Sequence, residues 1–216
     1  MMPDIEDPRA LRMRLILALR QAGLREQRVL SVLEQAPRDW FLPGELPEDV
    51  WEDIALPLPG GEVATRPSVI GAALALLAPE PHALVLEVGT GSGYQTAVLT
   101  QMARKVISLE RRRGLAVAAR ERLGKLRLLS AQVHCADGAE GWAREAPFDR
   151  ILLNAAIVSP DAWRLQLAPG GVLVAPLQTP QGQVLARWTA EGGYEELPLP
   201  PGGEFQPLGR GLEEDL

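Results

Sequence analysis

The stretch that decides the fold runs from Val85 to Gln95 and reads VLEVGTGSGYQ. The apolar run from Ala83 to Val88 suits a buried strand, and a helix begins at about Gln95. Between them Gly89, Gly91 and Gly93 alternate with other residues. Alternating glycines let the backbone turn sharply and let a ligand approach bare N–H groups. The helix start behind them offers unpaired donors and partial positive charge. Strand, glycine turn and helix in that order place a ligand pocket at the carboxyl end of a parallel strand.

The loop's own residues narrow the ligand. A triphosphate-binding loop needs Gly-Lys-Ser/Thr, and Tyr94-Gln95 follows Gly93 instead. The dinucleotide spacing G-x-G-x-x-G fails from Gly89, where position six is Tyr94, and from Gly91, where it is Thr96. Ser92 lacks the G-x-S-x-G context of a nucleophile elbow. Glu87, two residues before the first glycine, repels a pyrophosphate and suits a cationic or amino-bearing ligand. Glu110 ends the next strand, where an acid accepts hydrogen bonds from ribose hydroxyls. Asp137, followed by Gly138, comes after the third strand and is placed to face the amine of an adenine. Three acids at three successive strand ends describe a site for a nucleoside that carries positive charge and no phosphate.

Outward from the loop, strands and helices alternate. Strands are expected at Val106–Leu109, Ala131–Cys135, Phe148–Leu153 and Val172–Ala175, the last stopping at Pro176. Helices are expected at Gln95–Ala103, Arg113–Leu123 and Asp161–Leu167. Apolar strands alternating with helices predict a doubly wound α/β fold with a parallel sheet and helices on both faces. Two tail strands, Gln183–Thr189 and about Tyr194–Leu199, flank a tight Gly192-Gly193 turn and pair antiparallel. Upstream, helical spacing appears over 8–22, 25–36 and 66–78. Pro43 to Pro59 reads as an ordered, proline-rich loop, with Trp40, Phe41 and Trp51 anchoring that region to the body. Gly209 to Leu216 reads as a frayed end.

Composition sets limits. In 216 residues, 22 basic and 28 acidic side chains leave a net charge of −6, which argues against broad nucleic-acid binding. The densest basic run, Arg111 to Arg113, reads as the solvated start of a helix. One cysteine, Cys135, excludes an intramolecular disulfide and a cysteine-cluster metal site. With no metal ligand cluster, no basic-then-apolar leader and no long apolar run, the expectation is a cytoplasmic chain away from membranes. His134 reads as a packed histidine. Trp142, Trp163 and Tyr94 read as core or cleft-wall residues.

The ordered motifs resemble the protein-L-isoaspartate O-methyltransferases, a family of Rossmann-like enzymes. The likeness runs from about 25 to 210. It includes AGLREQRVL (Ala22–Leu30), APRDWF (Ala36–Phe41), WEDIALP (Trp51–Pro57), the glycine loop, ADGAEGW (Ala136–Trp142), APFDRILLNAA (Ala146–Ala156), LAPGGVLVAP (Leu167–Pro176) and FQPL (Phe205–Leu208). The resemblance implies a mostly parallel seven-stranded sheet, with an N-terminal helical extension over 1–60 and a methyltransferase domain over 61–216. It also implies an antiparallel C-terminal strand pair. The implied cofactor is S-adenosylmethionine, with S-adenosylhomocysteine as its product. The implied acceptor is the free carboxylate of an isoaspartyl residue in damaged protein or peptide. Carried over onto this chain, the cofactor-binding residues are Glu87, Gly89, Thr90, Gly91, Ser92, Gly93, Glu110, Asp137 and Gly138. Thr65, in the place of the family's serine, is the candidate catalytic residue. Arg66, Asn154, Ala155, Pro207 and Leu208 are the candidate substrate-side residues. Three of these differ from the family pattern: Thr65, Arg66 in place of glutamine, and Asn154 before the paired alanines. Gln206 stands where a valine is usual. Arg66 is expected to pair with a substrate acid. The alternative reading, favoured by these departures, is a related methyltransferase acting on another carboxylate or on a hydroxyl, that of a small molecule included. A non-catalytic binding protein on the same fold is a further alternative, against which the intact glycines and Glu110 stand.

Overall fold

A computed structural model describes residues 7–42, 47–200 and 202–213. The opening residues, part of the Pro43–Pro59 loop and the last part of the predicted frayed end lie outside them. The chain opens with helix α1 (Pro8–Gln21). The Asp7 carboxylate accepts from the Arg9 N–H and Pro8 sits in the first turn, so the helix start is capped and one donor fewer is left over. Leu11, Leu15, Ile16 and Leu19 form its buried stripe. Helix α2 (Gln27–Gln35) buries Val29, Leu30, Val32 and Leu33 and stops before Pro37. Short helices α3 (Arg38–Phe41) and α4 (Pro47–Val50) follow. Phe41 and Trp51 are buried, and Trp40 is the half-exposed member of the predicted aromatic trio. Burying Phe41 contributes roughly 2–3 kcal/mol. A small antiparallel hairpin, β1 (Leu56–Pro57) with β2 (Val63–Ala64), then leads into helix α5 (Pro67–Leu77).

The main sheet begins at β3 (Leu84–Val88) and continues with β4 (Lys105–Glu110), β5 (Ala131–Cys135), β6 (Phe148–Leu153), β7 (Leu167–Thr179), β8 (Gly182–Thr189) and β9 (Tyr194–Pro198). Its order is β5-β4-β3-β6-β7-β8-β9. The pairs from β5 through β7 are parallel, while β7–β8 and β8–β9 are antiparallel. The chain builds outward from β3 to β5, then returns to lay β6 on the other side of β3. That reversal opens a crevice at the carboxyl ends of β3 and β6.

Helices α1, α2, α5, α6 (Tyr94–Thr100) and α7 (Arg113–Lys125) share one hydrophobic cluster with one sheet face. Among the described residues the opposite cluster takes helical residues only from the one-turn α8 (Asp161–Arg164), through Trp163 and the partly buried Ala162. Trp188 and the partly buried Trp142 also pack into this cluster, so large aromatics contribute to the cover of a face that lacks a long helix. Among the described residues no helix is long and apolar enough to cross a membrane.

Several boundaries differ from the sequence expectation, among them α8, which ends at Arg164 rather than Leu167, and β7, which begins at Leu167 rather than Val172. Helix α6 ends at Thr100, and Gln101–Arg104 turns back into β4. Strand β7 does not stop at Pro176 but runs on to Thr179. In an extended strand a residue's N–H and C=O point to the same side. The Pro176 carbonyl accepts from Ile157 N at 2.9 Å, so its missing N–H also faces that side, past the end of β6. The ladder to β8 therefore loses no donor.

Candidate active site

The glycine loop continues β3 into the crevice. Gly89, Gly91 and Gly93 have φ of 93°, 55° and 90°, a region that side chains disfavour. A Cβ on Gly89 would also lie 3.1 Å from the Asn154 Cβ. Gly89 N donates to Leu109 O at 2.8 Å and Asn154 N donates to Val88 O at 2.8 Å, so both neighbouring strands hold the loop's root.

The loop borders a cavity of about 370 Å³. Its lining includes Gly89, Thr90, Gly91, Ser92, Glu110 and Gly138, all read from the sequence as cofactor residues. Gly138 packs so tightly that a Cβ there would meet Val88 Cγ1 at 2.5 Å. Thr65, Asn154, Ala155, Pro207 and Leu208, read as acceptor-side residues, border the same cavity, with Asn154 in contact with Gly89. Thr65 sits between β2 and the first turn of α5. Pro207 and Leu208 reach the site because their segment pairs with Ala156. Ala156 N donates to Gln206 O at 2.8 Å, and Leu208 N donates to Ala156 O at 2.9 Å.

Glu110 is 6% exposed. Its two oxygens accept from Gly91 N and Arg112 N, each at 2.9 Å. Burial pushes its carboxyl above the usual range, against the pull of those two N–H groups. Each oxygen has a second lone pair, so Glu110 can still accept from ligand hydroxyls.

Four expected site residues stand off the cavity wall. Glu87 is fully buried and does not border the cavity. The period of two along β3 puts it on the face of Val85, under α6. There the register sets it directly beside Ser108. Its Oε2 accepts from Thr96 Oγ1 at 2.5 Å and Ser108 Oγ at 2.6 Å, and its Oε1 accepts from Asn154 Nδ2 at 3.4 Å. Burial drives its carboxyl up to about 7, against these hydrogen bonds. Ser108 Oγ lies 2.6 Å from Thr90 Oγ1, so the acid supports the loop from behind. Gly93 is packed under Ala119, whose Cβ would be 3.2 Å from an added Cβ. Asp137 accepts from Ala139 N at 2.8 Å and from Gly211 N at 2.7 Å.

Arg66 is the fourth. Its guanidinium donates to Asp53 Oδ2 at 2.7 Å, and Asp53 Oδ1 accepts from Ser68 N at 2.7 Å. Burial raises the Asp53 carboxyl, but Arg66 and Ser68 outweigh it and hold it below the ordinary range. The charge expected to meet a substrate acid is thus met by an acid of the chain itself. Asn154 also spends its side chain internally. Its Nδ2 donates to Gly89 O at 2.9 Å and its Oδ1 accepts from Gln95 Nε2 at 2.9 Å.

Other wall residues carried no sequence signal strong enough to place them. Arg111 and Arg112 border the cavity beside Glu62 and Glu213. The run does open α7, with Arg112 as its N-cap and Arg113 exposed, but Arg111 and Arg112 are partly shielded and ion-paired rather than simply solvated. The described end of the chain is likewise not frayed, since Glu213 N donates to Arg111 O at 3.0 Å and Arg113 N donates to Glu213 O at 3.2 Å. Tyr94 also lines the cavity, with Arg38 over its ring at 5.0 Å. Trp163 is core, and its Nε1 donates to Gly138 O at 3.0 Å. His134 stacks on Trp142, with ring centroids 5.1 Å apart. Among the described residues no group of three or more His, Cys, Asp or Glu is arranged to hold a metal.

The residues present fit an adenosyl cofactor. A recessed acid at the end of β4 with lone pairs to spare, beside a glycine loop whose backbone borders the cavity, suits a ribose, and the wall arginines Arg111 and Arg112 are already paired with Glu213 and Glu62. The comparisons with known proteins agree. The family model described as Protein-L-isoaspartate(D-aspartate) O-methyltransferase matches residues 10–198. A protein-L-isoaspartate O-methyltransferase of Caulobacter sp. (strain K31) is 44% identical over 179 residues, covering 82% of each chain. One from Cereibacter sphaeroides (strain ATCC 17029 / ATH 2.4.9) is 41% identical over 215 residues, covering 98% of each. A solved protein-L-isoaspartate O-methyltransferase superposes with a TM-score of 0.78 at 24% identity, over 92% of this chain and 66% of that one. A Plasmodium falciparum structure in complex with S-adenosyl-L-homocysteine superposes with a TM-score of 0.77 at 21% identity, over 91% of this chain and 97% of that one. The chain belongs to the protein-L-isoaspartate (D-aspartate) O-methyltransferase family, and is an S-adenosylmethionine-dependent enzyme that methylates L-isoaspartyl residues in damaged proteins.

Proposed function

We propose that one continuous cavity divides this work between two walls. The glycine loop and Glu110 hold the cofactor, and Thr65 with Asn154–Ala155 and Pro207–Leu208 receives the isoaspartyl carboxylate. The observation that carries this reading is that both sets border the same space. When bound, S-adenosylmethionine supplies a methyl group on a sulfonium, which is a strong donor. An ionised carboxylate is already a nucleophile, so no residue has to remove a proton.

The remaining work is alignment and exclusion of water. Thr65 fits the first task. It follows the β1–β2 hairpin, and the start of α5, held by Asp53 through Ser68 N, fixes its backbone, so its hydroxyl is available as a donor that orients one oxygen of the acceptor carboxylate. The hairpin region and the Gln206–Leu208 segment both border the cavity, are linked by Gln206 Nε2 donating to Gly61 O at 3.3 Å, and support the second task. Neither Arg66 nor Asn154 argues for a different acceptor, since both side chains are engaged within the chain.

Thr65→Ser and Thr65→Val test the assignment. With an isoaspartyl peptide, Thr65→Val should lower kcat/KM by at least about tenfold, the loss of one hydrogen bond to a charged group. Thr65→Ser should retain activity, and S-adenosylhomocysteine affinity should stay within twofold in both. Full activity in Thr65→Val would remove Thr65 from the site.

A further inference from the structure

Arg112 joins three segments that are far apart in sequence. Its Nε lies 2.6 Å from Glu62 Oε1, just before β2 on the acceptor side. One terminal nitrogen lies 2.7 Å from Glu213 Oε2, in the C-terminal segment. Its backbone N–H is one of the two donors that hold Glu110. Glu62, Glu110, Arg112 and Glu213 all border the cavity. The ion pairs are partly shielded, with side-chain exposures of 19% for Arg112, 29% for Glu62 and 36% for Glu213.

The segment from Gly209 to Glu213 is tied by other bonds to the same strand end. Arg111 pairs with Glu213 Oε1 at 2.6 Å and donates to Gly211 O and Arg210 O, each at 3.0 Å. Gly211 N donates to Asp137 at 2.7 Å. Through Gly209 and Glu213 a segment held this way borders the same cavity as Glu110.

We propose that Arg112 is a positioning residue, which with Glu62 and Glu213 forms a clasp that closes the C-terminal segment over the cofactor, and that opening this clasp sets how fast the cofactor and its product exchange. This rests on the reading of Glu110 as the residue that holds the nucleoside. Partly exposed ion pairs are individually weak and are screened by salt, so the clasp opens readily and responds to ionic strength.

The test uses the full chain loaded with S-adenosylhomocysteine and follows its dissociation by stopped-flow chase with excess unlabelled ligand. Glu213→Gln and Arg112→Met should each release the ligand about five- to tenfold faster than wild type. Added salt should speed release from wild type more than from either variant, and least from Glu213→Gln, which loses the Arg111 pair as well. Arg112→Lys, which keeps the charge, should recover much of the slow release. Without ligand, hydrogen exchange at Gly211 and Glu213 should be faster in Glu213→Gln. Release and exchange unchanged from wild type in both variants would overturn the clasp. Glu110→Ala separates the two readings. If it weakens binding while the clasp variants release normally, only the clasp is wrong. If it binds normally, the nucleoside assignment beneath the clasp fails and the clasp proposal fails with it.

Discussion

Replacing Glu87 by glutamine tests how the glycine loop is supported. The wild-type carboxyl is fully buried and titrates near 7 in the folded protein, against 4.5 for an unperturbed glutamate. Because the folded value is raised, the folded state holds the proton more tightly than the unfolded state. Below about pH 4.5 both states carry it and the full contribution to stability is present. As pH rises through about 7 the folded protein must bury an anion, and that contribution is lost. A shift of this size corresponds to on the order of 3 kcal/mol between the two limits. Glutamine carries no titrating proton, so Glu87→Gln should be similar to or less stable than wild type at pH 4.5. It should gain on wild type by on the order of 3 kcal/mol by pH 8. Urea unfolding of both proteins at intervals from pH 4.5 to 8 reads this directly as the difference in unfolding free energy. A difference that stays flat over that range would refute the buried, protonated acid behind the loop.

Two further outcomes follow from the site. Glu110→Ala removes a recessed acceptor and should weaken S-adenosylhomocysteine binding by about 10- to 100-fold in calorimetry, the worth of hydrogen bonds to a charged group; unchanged affinity would dismiss the ribose role. Arg66→Met strips Asp53 of its partner and should cost about 1–2 kcal/mol of stability, while the KM for an isoaspartyl peptide stays within about twofold. A large KM increase with unaltered stability would return Arg66 to the substrate.

The frame of the fold was legible because its signals are local. Apolar runs and glycine punctuation placed β3, β5 and β6, and the family likeness ordered them. The glycine loop and Glu110 were legible because strand-end position alone determines where they point. Glu87 was misread although its position held the answer. It shares the parity of Val85, and that face of β3 lies under α6 rather than toward the ligand. Arg66 gave no such clue, because its partner Asp53 lies across a proline-rich segment whose path has no period to read. Arg111 and Arg112 looked like an exposed basic run for the same reason, since Glu213 is about a hundred residues away. Pro176 looked like a strand end because a sequence does not tell which side of a strand its neighbour leaves empty.

The central claim is methyl transfer to an isoaspartyl carboxylate in this cavity. Its most direct test supplies labelled S-adenosylmethionine and two peptides of one sequence, differing only in an isoaspartyl or a normal aspartyl linkage. Base-labile methyl ester should accumulate on the isoaspartyl peptide and stay at background on the aspartyl one. Equal labelling of the two, or no labelling of either, would contradict it.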